Sequence, residues 1–196
     1  MSQCLWKYKR DIIHHYNRIA GIYDSLYGEE QKAKIESILR IIKGERKDLV
    51  LDAGCGTGLL IEYLASKVDH FVGLDSSEKV LKVALDKSRR LKIKGNVSLI
   101  RADIDILPFR DSVFDKIFAL TLLQNVPEPH KTLREMIRVA KKNSLIAVTG
   151  LKKHFTKKSF SEVISEISQG YVFAEPLNIH DFIAIFKMSK VKDKYG

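Results

Sequence analysis

The sequence predicts a doubly wound α/β domain, a mostly parallel seven-strand sheet with an antiparallel last strand. Three observations predict it. From Asp48 onward, short and nearly continuous apolar segments alternate with helical stretches, as strands buried on both faces do. The first of these strands runs into a glycine-rich turn, DAGCGTG. The last two, GYVFAEP and DFIAIFK, are linked only by Leu177–His180, too short for a helical crossover, so they pair antiparallel. With 196 residues, 45% hydrophobic and 30% charged, the chain is expected to fold as one domain, residues 1–196, around a packed core.

Taken in order, residues 7–19 read as a short basic helix ending near Gly21. Ile35, Ile38, Leu39 and Ile42 recur at helical spacing and predict a helix from Glu29 to Lys43, which Gly44 ends. DLVLDAG is then a strand, Leu59–Ser66 a helix, HFVGLD a strand and Ser77–Leu91 a helix. NVSLIRAD and VFDKIFAL are the third and fourth strands, followed by a helix over Glu128–Ala140. SLIAVTG is the fifth strand, and Lys157–Ser168 is a helix before the closing pair. No repeat, low-complexity tract or linker divides the chain.

No apolar run approaches the roughly 20 residues that span a bilayer. The amino terminus, MSQCLWKYKRD, is polar and basic with no signal-peptide stretch behind it. Cys4 and Cys55 make neither a disulfide framework nor a tetrahedral metal site. No metal and no membrane is therefore expected, and a reducing, cytoplasmic setting is favoured.

The net charge of +10 is unevenly spread. Residues 1–20 carry +3, 21–81 carry −3, 82–101 carry +6, 102–140 carry −1 and 141–196 carry +5. The excess sits at both ends and in KSRRLKIK, Lys87 to Lys94, while the glycine turn and its acidic neighbours are slightly negative. That distribution suits a cationic cofactor in the middle and an anionic partner at the periphery. It suits a solvated, lysine-rich surface equally well.

Gly54, Gly56 and Gly58 fall between the first strand and its helix, where backbone approaches a ligand and helix amides face it. Such a turn is shared by many doubly wound proteins, nicotinamide dehydrogenases among them. The carboxylates narrow the choice. Asp52 lies under the turn, Asp75 ends the second strand in VGLDSS, and Asp103 follows the third in RADIDILPF. One can hold an ammonium, one both hydroxyls of a ribose, and one the exocyclic amine of adenine. S-adenosylmethionine carries all three groups in line. Asp75 as a helix cap beside Ser76 and Ser77, and Asp103 as a turn residue before Pro108, remain open.

LDAGCGTG, VGLDSS, RADIDILPF, VFDKIFALTLLQNVPEP and the closing hairpin, in this order, resemble the class I S-adenosylmethionine-dependent methyltransferases from about Tyr16 to Lys187, small archaeal-type members in particular. The resemblance implies that Gly54, Gly56 and Gly58 underlie the methionine portion, that Asp75 binds the ribose, and that Asp103 and the Ile104 amide read the adenine. Leu120 would offer its carbonyl to the ammonium. The implied cofactor set also takes in Asp52, Cys55, Ser76, Tyr16 and Tyr23. Cys55 reads as a small loop filler and not as a nucleophile. Residues 1–28, with Tyr16, Tyr23 and Tyr27 among basic residues, would cover cofactor and substrate, and 188–196 form a basic tail. Some similar proteins work with a small zinc-binding activator subunit.

Methyl transfer from a sulfonium is an in-line displacement, so the enzyme chiefly positions the acceptor and excludes water. Asn125 and Gln124, in the loop after the fourth strand, are the catalytic candidates. Amino-directed nucleic-acid methyltransferases carry Asn/Asp-Pro-Pro-aromatic there. Asn125-Val126-Pro127-Glu128 keeps the Asn and one Pro only, and Gln-Asn-Val-Pro also resembles small-molecule methyltransferases. Asn125 is then either a substrate ligand or a turn residue. The first choice of acceptor is an RNA base amine, with Arg89, Arg90, Lys92 and Lys94 on phosphates. The alternative is a small molecule of quinone type or another metabolite. A non-enzymatic binding subunit is the third class.

Overall fold

In the computed structural model of the chain, residues 3–93, 96–168 and 170–188 are described. The aliphatic runs become seven strands: β1 (Leu49–Ala53), β2 (His70–Asp75), β3 (Val97–Arg101), β4 (Phe114–Ala119), β5 (Ala140–Leu151), β6 (Tyr171–Ala174) and β7 (Asp181–Lys187). They form one sheet in the order β3-β2-β1-β4-β5-β7-β6. β1 pairs parallel with β2 and β4, and β4 with β5, whereas β7 runs antiparallel between β5 and β6. Only β7 is reversed, as the short link before it requires.

Among the described residues six α-helices accompany the sheet: α1 (Gln3–Ile19), α2 (Tyr23–Leu39), α3 (Leu59–Leu64), α4 (Glu78–Arg90), α5 (Pro129–Val139) and α6 (Lys157–Ser165). Alternation along the strands supplies both faces with apolar side chains. Val50 and Phe71 pack with Ile35 and Ile38 of α2 and Leu60 and Leu64 of α3. Leu51 and Val72 face the other way, into a cluster with Leu133 and Met136 of α5 and Phe160 of α6. The residues of α2, α3, α5 and α6 that meet the sheet are thereby covered, and this packing supports those helices.

Several boundaries differ from the sequence expectation: α1 starts at Gln3 and not at residue 7, α2 ends at Leu39 and not at Lys43 before Gly44, and two further shifts have clear physical causes. α2 starts at Tyr23, six residues before Glu29, and runs through Gly28. A helix-interior glycine costs only about 1 kcal/mol, and packing of one helix face outweighs it. A segment boundary at residue 28 therefore cuts a helix. β5 begins at Ala140, before the apolar run SLIAVTG, because a register shift opposite Phe114 and Lys116 accommodates the polar residues Lys141 to Asn143. The strand order reverses between β1 and β4, and the crevice at their carboxyl ends is where an open α/β sheet takes ligands.

Candidate functional site

At that crevice the chain lines a half-open cavity of about 360 Å³. Its floor is the turn after β1. Gly54, Gly56 and Gly58 all have positive φ, at 78°, 53° and 76°. The Gly54 and Cys55 amides both donate to the Leu74 carbonyl, at 2.8 and 3.0 Å, which ties the turn to the end of β2. A Cβ on Gly56 would meet nothing within 4 Å and would point into open space, so this residue gives a ligand room against bare backbone. Gly58 does other work. It is not part of the cavity wall, and a Cβ there would meet Ile61 at 2.7 Å and Ala84 at 2.9 Å, so its bareness lets α3 and α4 pack.

Asp75 stands at the centre of the wall. One carboxylate oxygen accepts from the Gly56 amide at 3.0 Å and the other from the Ser77 amide at 2.8 Å. Burial raises its pKa while the Ser77 and Gly56 amides work against that rise. It is thus both a cap-like acceptor and a cavity carboxylate, beside Ser76 in the lining. Asp52 lines a smaller recess of about 50 Å³ together with Tyr23, Cys55 and Leu120. Burial, and then the charge of Asp75, push its pKa up to about 8. No described cation lies within ion-pair distance of it. Such a carboxylate is suited to a ligand ammonium. Burial raises the Cys55 thiol well above its usual range, so it is no nucleophile.

Asp103, Ile104 and Arg101 line the far side. The ammonium of Lys9, from α1, sits 2.8 and 2.7 Å from the two Asp103 oxygens and 2.5 Å from Asp105. Burial opposes the charge on Lys9, yet the two carboxylates leave its pKa raised overall. Asp105 is buried and also accepts from the Thr132 hydroxyl. Lys9 is one of four pins that hold α1 as a roof. Tyr8 Oη donates to the Gln124 carbonyl (3.1 Å), and Asn17 Oδ1 accepts from Ser77 Oγ (2.8 Å) and the Lys79 amide (3.0 Å). Asn125 Nδ2 donates to Tyr16 Oη at 2.8 Å. Trp6, Ile12, Ile13 and Tyr16 give the roof an apolar underside.

The loop after β4 closes the remaining side through Leu120, Thr121, Leu122, Asn125 and Val126. Asn125 Nδ2 also donates to the Thr121 carbonyl at 2.9 Å, so the amide nitrogen is spent and the side chain offers its oxygen as an acceptor. Gln124 does not line the cavity. Its amide donates to the Thr121 carbonyl at 2.8 Å, so of the two catalytic candidates only Asn125 faces the cavity. Tyr16 and Tyr23 line the site with ring centroids 6.0 Å apart, and burial raises both phenols. Tyr27 packs on Tyr23 outside the wall.

The basic stretch divides. Lys87 is buried, 2.8 Å from Asp24 and 2.9 Å from Glu62, and Asp24 in turn accepts from Thr57 Oγ1 of the glycine turn at 2.5 Å. Lys87 is therefore internal architecture and no phosphate contact. Arg89, Arg90 and Lys92 are exposed at the far end of α4, about 18 Å along the axis from the cavity at 1.5 Å per residue. Lys94, and all of the 188–196 tail except Met188, lie outside the described residues. Among the described residues no group of three or more His, Cys, Asp or Glu could hold a metal, and no helix is long and apolar enough to cross a membrane.

Several contributors carried no sequence signal. Lys9 and Trp6 reach the cavity only because α1 folds back over it. Thr121 follows a strand expected on other grounds, and its hydroxyl accepts from Lys34 of α2 at 2.6 Å. Lys34 is fully buried against Asp181.

Residues 45–182 match the family model described as a methyltransferase domain. The chain is 30% identical over 146 residues to a malonyl-[acyl-carrier protein] O-methyltransferase of Marinomonas sp., covering 74% of this chain and 53% of that protein. It is 31% identical over 148 residues to the demethylmenaquinone methyltransferase of Staphylococcus saprophyticus, covering 71% and 62%. The chain thus spans about half the length of the first curated relatives it matches. In structure it is similar to a protein of Methanococcus maripaludis assigned as an S-adenosyl-L-methionine-dependent methyltransferase, with a TM-score of 0.75, 17% identity and 92% and 95% of the two chains covered. It is also similar to a Haloferax volcanii chain from a complex of the Trm112 methyltransferase activator with an assigned methyltransferase, with a TM-score of 0.70, 17% identity and coverage of 87% and 96%.

Proposed function

The chain belongs to the class I S-adenosylmethionine-dependent methyltransferases, and on that premise we propose that it transfers a methyl group from S-adenosylmethionine to a small organic acceptor. One observation carries this: a roofed cavity lined by Asp75 and Asp103 at the switch point of the sheet, with Asp52 in the recess beside it and a free acceptor oxygen on Asn125. When bound, the cofactor supplies an electrophilic methyl on a sulfonium. The chain's own residues do the rest. Asp75 accepts the ribose hydroxyls, and Asp103 with the Ile104 amide reads the adenine, while Asp105 retains Lys9. The Leu120 carbonyl and Asp52 hold the ammonium, and Gly56 leaves the cofactor room against the turn. Asn125 Oδ1 accepts a proton-bearing group of the acceptor and so aligns its lone pair with the methyl. The apolar underside of α1 excludes water.

The pinned roof with Trp6, Ile12 and Ile13 supports an acceptor small enough to lie beneath it. Small-molecule and carrier-bound acceptors in the names of the relatives support the same choice. RNA with a base amine as acceptor is the second reading, and exposed Arg89, Arg90 and Lys92 favour it. A small activator subunit belongs with either, supported by the Haloferax complex. Mass spectrometry of metabolites and nucleosides from a deletion strain tests the proposal. Loss of a methylated metabolite is expected, and loss of a methylated nucleoside alone would favour RNA. On the RNA reading, Arg89→Ala with Arg90→Ala would weaken RNA in a gel shift and flatten its salt dependence by a little under one unit per lost contact. On the small-molecule reading it changes nothing.

A further inference from the structure

Thr121, which follows the fourth strand by two residues, is held in a conformation its side chain disfavours. Its φ is +56°, in the left-handed region that a β-branched residue rarely enters. All its polar groups are engaged. The N–H donates to Thr149 Oγ1 at 2.8 Å, and the carbonyl accepts from Gln124 and Asn125 at 2.8 and 2.9 Å. Its hydroxyl oxygen accepts from Lys34 Nζ at 2.6 Å and from Gln31 Nε2 at 3.0 Å.

Behind this turn lies an ion pair, Lys34 Nζ to Asp181 Oδ2 at 2.6 Å, with side chains 1% and 0% exposed. The other Asp181 oxygen accepts from Thr149 Oγ1 at 3.0 Å, and Thr149 accepts in turn from the Thr121 amide. The contacts close a ring through α2, β5, β7 and the turn after β4. Burying two charges gains little stability over apolar residues of the same volume, because desolvation offsets their attraction. What the ring does achieve is geometric. It clamps the strained residue between Leu120 and Leu122, on which the placement of Asn125 also depends.

We propose that Lys34 and Asp181 are positioning residues, which act through Thr121 to aim the Leu120 carbonyl and the Asn125 side chain into the cavity. This rests on the cofactor reading above, in which the Leu120 carbonyl holds the ammonium of the ligand. A strained turn left unclamped would relax, and the carbonyl would rotate with it.

The test is calorimetric binding of S-adenosylhomocysteine and of 5′-methylthioadenosine, which lacks the amino-acid portion, to the full chain. Thr121→Val removes the hydroxyl that Lys34 addresses, and Thr121→Ser returns it. Lys34→Met alone would strand a buried charge, so it is paired with Asp181→Asn, whose side-chain oxygen still accepts from Thr149. Thr121→Val and the double variant are expected to bind S-adenosylhomocysteine about tenfold more weakly, the loss of one hydrogen bond to a charged group. Methylthioadenosine affinity stays within about twofold, and Thr121→Ser restores the wild-type ratio. Folded variants that keep the wild-type ratio of the two affinities, or that lose both ligands in parallel, would overturn the proposal. A wild-type protein that binds neither ligand would overturn the cofactor reading itself, and the proposal with it.

Discussion

Acidification should weaken cofactor binding by protonating Asp52. Burial, followed by the negative charge of Asp75, holds this carboxyl at about 8 in the folded protein, against 3.8 for an ordinary aspartate. At pH 7 it is protonated in about nine molecules out of ten. A folded pKa above the unfolded one means the native state binds the proton more tightly. The contribution to stability is then full below about pH 4 and is lost as pH rises through about 8. A ligand ammonium reverses the preference, because it pairs with the carboxylate. Binding of S-adenosylhomocysteine at pH 7 should therefore expel about 0.9 proton, and its Kd should rise about 50-fold between pH 8 and pH 6. Calorimetry in two buffers of different ionisation enthalpy reads the proton directly, with Asp52→Asn as the control that releases none. Equal enthalpies in the two buffers, with flat affinity over that range, would refute the placement of the ammonium at Asp52.

Three further outcomes follow from the wall of the cavity. Asp75→Asn keeps an acceptor for the Ser77 amide but removes the charge, and should weaken S-adenosylhomocysteine about 10- to 100-fold, equivalent to about 1.5–3 kcal/mol, with the circular dichroism spectrum unchanged; unaltered affinity would remove it from the site. Gly56→Val forces a side chain into the left-handed region at a cost of about 1–2 kcal/mol and projects it into the cavity, so the melting temperature should fall by a few degrees and ligand binding should vanish. Lys9→Met leaves buried Asp105 with the Thr132 hydroxyl as its remaining donor side chain. Limited proteolysis should then cut within residues 3–19, where the wild-type roof resists; equal resistance would show that the Lys9 pin does not hold α1 down.

The strands and the glycine turn are local features, and their meaning was visible in short windows of sequence. Asp52 lies one residue before the end of β1, Asp75 ends β2 and Asp103 follows β3, and because these strands are parallel their carboxyl ends bring the three to one edge of the sheet. The roof was only half visible. A basic helix with tyrosines is legible in residues 7–19, but which face it turns down depends on Lys9 finding Asp103, 94 residues away. Net charge misled most at Lys87, because two carboxylates from α2 and α3 neutralise it inside the fold.

The sheet, its single reversed strand and the edge at which its carboxylates gather are therefore legible locally, since continuous apolar runs, a glycine-rich turn and link length are properties of neighbouring residues. Which charges are spent depends on packing between distant segments. Lys34 and Asp181 lie 147 positions apart in the chain and would each read as a solvated surface residue. The fold brings α2 and β7 together behind one turn and removes both from water, and a charge removed from water takes the partner that the fold supplies.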